Sequence, residues 1–205
     1  MAAQPHSSPP GEWIIRPTPA AAGEEFCAQL AARLERRRQT GGGPLTVALT
    51  AGHSAHTFYP PMAAHFGARG GGGTAGRWRP EEFLFFWSDE RLVPPDHPDS
   101  NYRLALETLL QPAAIPPSQV HRVPAEATDA PARYAATVRQ LVPPGPEGIP
   151  RFDVLILGLG EDGHTASLFP HTDLWQEDAA LVRRAAATAE HPHDRATFTP
   201  RLLNA

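Results

Sequence analysis

The stretch Phe152-Asp153-Val154-Leu155-Ile156-Leu157-Gly158-Leu159-Gly160-Glu161-Asp162-Gly163-His164-Thr165 sets the strongest constraint on how this chain folds. A short apolar run bounded by Pro150 and Gly158 reads as a buried parallel strand. It leads into three glycines, two acids and a histidine. A buried strand that ends in a tight acidic turn with His at its exit has the form of a site, because open α/β sheets bind ligands beyond the carboxyl ends of their strands. The turn also spells GxGxxG through Gly158, Gly160 and Gly163. A dinucleotide reading fails on context. That fingerprint opens a full helix and is followed about 20 residues on by an acid. Here Pro170 cuts the helical pattern after Phe169, and the next strand candidate, 181–187, carries Arg183 and Arg184 and no acid.

The 205 residues suit one domain with a sizeable core. A net charge of −4 gives no general attraction to nucleic acid or to an anionic membrane, and no apolar run approaches a membrane span. The first ten residues lack a basic-then-apolar signal pattern and read as part of a loose tail over 1–18. The lone cysteine, Cys27, excludes an internal disulfide, fits a reducing cytoplasm and reads as a packed helix residue. There is no lysine, and all 18 basic residues are arginine. Schiff-base chemistry on lysine is therefore excluded, and a phosphate held by a side-chain cation must be held by Arg or protonated His.

The periodicity of Phe26, Leu30 and Leu34 predicts a helix over 20–39, stopped by Gly41-Gly42-Gly43. Arg36-Arg37-Arg38 in its last turn reads as a solvated helix end favoured by the dipole, rather than a nucleic-acid patch. Residues 45–49 form a strand, and Thr50-Ala51-Gly52-His53-Ser54 leads into a helix through Phe66. That turn is either an anion site at a helix N-terminus or an ordinary connection. Residues 67–79 read as a Gly-rich surface loop, and 83–87 as a second buried strand ending in Ser88-Asp89-Glu90-Arg91 on the same rim. Arg91 is either a rim group or a surface ion pair. Ser100-Asn101 reads as a cap for a helix over 102–110. A short strand at 120–123, a helix at 130–141, a proline-rich loop at 143–150 and strands at 181–187 and 196–199 complete the pattern. Alternating strands and helices predict a parallel sheet covered on both faces. His53/His56 and His191/His193 have no matching cysteines or nearby acids in sequence, so no metal is expected.

Three blocks together resemble the 6-phosphogluconolactonase family. Trp87-Ser88-Asp89-Glu90-Arg91-Leu92-Val93-Pro94, running on to Asp99-Ser100-Asn101-Tyr102, is similar to its W-x-D-E-R-x-V-P…S-N-Y block. Residues 158–170, from Gly158 to Pro170, are similar to its most diagnostic segment, and Arg195-Ala196-Thr197-Phe198-Thr199 with Leu203-Asn204-Ala205 resembles its R-x-T-x-T…L-N-A segment. The resemblance implies a three-layer αβα sandwich with a mostly parallel, Rossmann-like sheet, shared with glucosamine-6-phosphate deaminases and ribose-5-phosphate isomerases. It implies a cytoplasmic ester hydrolase that converts 6-phospho-D-glucono-1,5-lactone to 6-phosphogluconate in the pentose phosphate pathway. No metal or organic cofactor is implied, and a monomer or weak homodimer is expected. The deaminase relatives use a glutamate where this chain has Phe169, and an apolar ring moves no protons.

The chain departs from the family pattern at the first turn, where Ala51 and His53 replace a glycine and a small hydroxyl. It departs again at His191-Pro192, where a Lys-Pro pair is usual. A domain over 19–205 lacking the family's last strand and helix is the expected organisation. These departures motivate an alternative, a sugar-phosphate-binding protein without turnover. On the lactonase reading, His164 is a general base at a helix start, Asp162 or Glu161 orients ring or water, and glycine-turn N–H groups serve the oxyanion. Arg91 and Arg195, with Thr50, Gly52 and Ser54, hold the phosphate, and Asp89, Asn101 and Gly160 complete the binding set.

Overall fold

The computed structural model describes residues 11–66, 78–145 and 147–205. The expected tail at 1–10 and most of the Gly-rich loop at 67–79 lie outside the described residues. Helix α1 (Pro19–Gln39) starts at Thr18, whose hydroxyl accepts the Ala21 N–H, and buries Cys27, Leu30 and Leu34. Strand β1 (Leu45–Leu49) is buried at all five positions. It is the middle strand of a parallel sheet, between β2 (Phe83–Trp87) and β4 (Val154–Leu155), with Val47 opposite both Phe85 and Val154.

Helix α2 (Gly52–His65) packs on α1. Pro61 has no N–H to offer the Thr57 carbonyl one turn back. Gly23 of α1 fits against that same oxygen; a Cβ there would stand 2.6 Å from it. Helix α3 (Asn101–Ala105) continues as a π-helical turn over Leu106–Leu110 that packs on α2, and α4 (Ala130–Leu141) follows. Ser100 caps α3 by accepting the Arg103 N–H, as its position predicted.

Three expectations are corrected. The 152–157 run forms a strand only at Val154–Leu155, half-buried and at one edge of the three-stranded sheet. The middle place belongs to β1. The strands predicted at 181–187 and 196–199 are β5 (Val182–Ala185) and β6 (Arg195–Phe198), and they lie in a second, antiparallel sheet with β3 (Asp89–Arg91), in the order β3-β6-β5. Residues 186–194 contain no helix, and a parallel pair needs a long crossover, so a short connection gives a hairpin. Val120 makes an isolated parallel bridge to Phe85 rather than a strand. The short helix α5 (Pro200–Leu203) follows β6.

Ser88 is the hinge between the two sheets: its N–H reaches Leu49 O at 2.9 Å, and its carbonyl accepts the Phe198 N–H at 2.8 Å. Two of the three arginines that close α1 are structural. Arg37 pairs with Asp153, whose other oxygen accepts the N–H and hydroxyl of Thr46 at 2.9 and 3.0 Å. Arg38 grips Glu82 through two 2.8 Å contacts. Neither is left for nucleic acid. No described helix is long and apolar enough to cross a membrane.

Glu82 also accepts the backbone N–H of Arg79 at 2.9 Å and its guanidinium at 2.8 Å. Burial pushes this carboxyl up, but the pairing with Arg38 and Arg79 outweighs it and holds the group at about 2. A folded-state value below the ordinary 4.5 gives stability that is complete above that pH and is lost as pH falls towards 2. Arg38 and Arg79 keep 36% and 63% of their side chains exposed, so solvent screening reduces the gain. Glu82→Gln should therefore cost about 2 kcal/mol at pH 7 and less than about half of that at pH 3. Urea unfolding at the two pH values checks this; an equal loss at both would show that the ion pairs are not the source.

Candidate functional site

Two tyrosines fix where the parallel strands end and the site loops begin. The Tyr59 hydroxyl accepts the Thr50 N–H at 3.1 Å and donates to the Thr50 carbonyl at 2.6 Å. The Tyr134 hydroxyl does the same to Trp87, at 2.7 and 3.0 Å. Both rings are buried, and burial pushes both phenols up. The turns leaving β1 and β2 are thereby held at the carboxyl edge of the sheet, where they meet the turn leaving β4.

These turns enclose a cavity of about 300 Å³. Of the predicted residues, Thr50, Gly52, Ser54, Asp89, Arg91, Gly160, Glu161, His164 and Arg195 line it. Asp162 enters through His164, and Asn101 lies behind Arg91. A larger cavity of about 670 Å³ lies elsewhere, beside Trp175, Arg201 and Asn204, and holds none of these groups.

The glycine turn is built around the histidine. A Cβ on Gly160 would overlap the His164 ring. Gly163 has φ +88°, which glycine adopts without strain. Asp162 Oδ1 accepts the His164 N–H at 3.1 Å and lies 2.5 Å from its Nδ1. The backbone and ring of His164 both hold the Asp162 carboxyl below the usual carboxylate range. An ionised carboxylate only accepts, so Nδ1 carries a proton, and in the neutral ring the lone pair lies on Nε2. The expected helix start at His164 is corrected: residues 161–169 are turns with no helix. Asp162, and not a helix dipole, fixes the orientation and tautomer of the ring. The oxyanion role of the turn is also corrected at three groups. The N–H groups of Gly160, Gly163 and His164 bond to His164 O, Gly160 O and Asp162 within the turn itself.

Two arginines belong to the same lining. Arg91 donates to Asp99 O at 3.0 Å and to the Asn101 side chain. Arg195 lies near Asp89 Oδ2 at 3.5 Å and Ser167 Oγ at 3.4 Å, with its guanidinium 5.4 Å above the Phe169 ring. The Nε of each arginine is buried without a hydrogen-bond partner among the described residues. Two arginine side chains lining one cavity suit an anion. Ala51 leaves the first turn of α2 without a side-chain cap, so its N–H groups are open to the same anion. Asn101 has no exposed surface; its amide donates to Asp89 O at 2.8 Å. It bonds Arg91 and Asp89 and does not line the cavity.

The sequence did not reveal Ser167, whose hydroxyl donates to Asp89 Oδ2 at 2.7 Å, nor Glu90. Glu90 accepts the N–H groups of Arg91, Asn101 and Tyr102 at 2.8, 2.7 and 2.7 Å; burial pushes its carboxyl up to about 7 against these donors. Tyr59 and Tyr134 did leave a signal, since a tyrosine on the buried face of a helix needs a partner for its hydroxyl. His191 stacks on Phe169 at 4.4 Å and stands edge-on to His164 at 5.3 Å. Burial, then Arg195 and His164, pull its pKa down.

The family model described as glucosamine-6-phosphate isomerases/6-phosphogluconolactonase matches residues 17–205. A 6-phosphogluconolactonase of Treponema pallidum is 42% identical over 58% of this chain and 50% of its own length. Another, from a Nostoc species, is 34% identical over 80% of this chain and 63% of its own. The chain thus spans about half to two thirds of the length of these relatives. The structure of 6-phosphogluconolactonase from Trypanosoma brucei superposes with a TM-score of 0.74 at 28% identity, over 92% of this chain and 74% of that one. Its αβα fold with a parallel sheet is the fold seen here.

Arg91→Ala and Arg195→Ala should each weaken binding of inorganic phosphate at least about tenfold, the loss expected when one partner of a charge-assisted pair goes. Asn101→Ala should weaken it less, because Arg91 keeps its charge and loses only its orientation. Titration calorimetry at fixed ionic strength reads all three; unchanged affinity in both arginine variants would remove the two arginines from anion binding.

Proposed function

The chain belongs to the glucosamine-6-phosphate isomerase/6-phosphogluconolactonase family, and from that premise we propose that it hydrolyses 6-phospho-D-glucono-1,5-lactone to 6-phosphogluconate. The observation that carries this reading is the presence, in the lining of one cavity of about 300 Å³, of an Asp162-oriented imidazole and two arginines. A neutral base and an anion-binding pair in one cavity suit an uncharged ester carbon at one end of a ligand and a phosphate at the other.

In the proposed reaction, Arg91, Arg195 and the open first turn of α2 hold the 6-phosphate. His164 Nε2 takes a proton from water as the water oxygen bonds to the lactone carbonyl carbon. The carbonyl electrons move to oxygen, giving a tetrahedral oxyanion. Its collapse breaks the bond to the ring oxygen, which leaves with the proton from His164. The resulting acid ionises. Asp162 holds the ring and stabilises the imidazolium between the two proton transfers. Phe169, stacked on His191 and Arg195, puts no carboxyl where an isomerase would need one.

Positioned general-base help is worth about 10²–10⁴-fold. His164→Asn should cut kcat at least about a hundredfold with little change in KM, and Arg91→Ala should mainly raise KM. The assay follows loss of freshly made lactone against its spontaneous hydrolysis. Near-normal turnover in His164→Asn would remove this residue as the base. Binding of 6-phosphogluconate by the unaltered chain with no accelerated loss of lactone would establish the non-catalytic binder instead.

A further inference from the structure

A second group of metal-ligating side chains stands outside the pocket lining, at its rim. The loop between β3 and α3 carries His97 and Asp99, and the connection between β5 and β6 carries His193. One ring nitrogen from each histidine and a carboxylate oxygen of Asp99 lie within 4.8 Å of one another. His193 Nε2 is 2.8 Å from Asp99 Oδ2, and His97 Nδ1 is 3.9 Å from the same oxygen. The two rings meet edge to face at 5.4 Å.

Imidazole and carboxylate ligands about 2.0–2.2 Å from a zinc-sized ion stand roughly 3–3.5 Å apart. One pair is already near that spacing, and the remaining gap is about an ångström. The side chains of His97, Asp99 and His193 are 36%, 55% and 28% exposed, so closing it disturbs no core packing. Pro94, Pro95 and Pro98 stiffen the loop that presents two of the three ligands. Two imidazoles with one carboxylate select borderline first-row ions over magnesium or calcium, which prefer oxygen.

We propose that His97, Asp99 and His193 form a binding site for one divalent transition-metal ion of the zinc class, clamping the loop after β3 to the β5–β6 connection. On binding, the His193 proton moves from Nε2 to Nδ1, and His97 Nδ1 exchanges the N–H of Asp99 for the ion. Water fills the remaining positions. The Asp99 carbonyl supports Arg91, and β6 begins at Arg195, so the ion would tie together the supports of both cationic residues. The Asp162, His164 and His191 group, the other candidate metal triad among the described residues, belongs to the pocket already described.

The test titrates Zn²⁺ by calorimetry, and Co²⁺ by its visible absorption, into the chelator-treated full chain at neutral pH, with circular dichroism confirming that each variant is folded. One-to-one binding at micromolar Zn²⁺ is expected. His97→Ala, His193→Ala and Asp99→Asn should each weaken it at least about tenfold, and His164→Ala should leave it unchanged. Binding only at millimolar Zn²⁺, binding that survives both histidine substitutions, or binding lost in His164→Ala would overturn the proposal. His97→Gln, which keeps a polar side chain of similar length, repeats the test should His97→Ala not fold.

Discussion

The buried carboxylate of Asp89 is the contact on which the site depends. It sits at the first residue of β3, one step past the Ser88 hinge. Its Oδ2 receives the Ser167 hydroxyl and faces Arg195, while its backbone carbonyl receives the Asn101 amide. Three other chain segments are thus referred to one residue. A buried anion without partners is costly, and removing one partner leaves the others uncompensated. The arrangement is therefore stable only when the turn after β4, the start of α3 and the start of β6 are all in place. Thr197 adds to it by accepting the Ser167 N–H at 3.1 Å.

Between Ser167 and His164 lies Ala166, with φ +50°. A left-handed residue other than glycine costs on the order of 1 kcal/mol and persists where its surroundings over-determine it. Here they do. Ser167 is fixed on one side by Asp89 and Thr197, and His164 on the other by Asp162 and the Gly160 face. The strained alanine lines the cavity, so the turn after β4 is held in shape by its neighbours rather than by regular secondary structure.

Local order was legible in the sequence because its causes are local. The i, i+4 spacing of Phe26, Leu30 and Leu34, the cap at Ser100 and the apolar run at 45–49 each carry their own signal, and the structure places α1, α3 and β1 accordingly. The converging site residues were legible as polar groups at the ends of apolar runs. What escaped was non-local. The short run at 152–157 gave no measure of how far it would pair with β1, and its half-buried strand is limited to Val154–Leu155. The second sheet arises because Ser88 turns the chain from β2 into β3, which no periodicity encodes. The glycine turn looked like a helix start because spacing alone cannot show that its N–H groups bond back to the turn. The acid beside His193 was invisible for the same reason: Asp99 is 94 residues away in the chain and 2.8 Å away in space.

The absence of lysine takes on meaning at Phe169. An ammonium group is strongly hydrated and gains little from lying on a ring, whereas a guanidinium is planar and weakly hydrated, so it can lie over an aromatic face and still present donors at its edge. Arg195 uses both properties, resting over Phe169 while Asp89 and Ser167 face its terminal nitrogen. His191 stacks on the same ring, and burial, followed by the charges of Arg195 and His164, favours its neutral form. A protonated His191 would repel Arg195 and add a second cation beside His164. Keeping it neutral leaves the arginine as the charge beside Phe169. The apolar Phe169 is thus the ring that Arg195, His191 and His164 all meet.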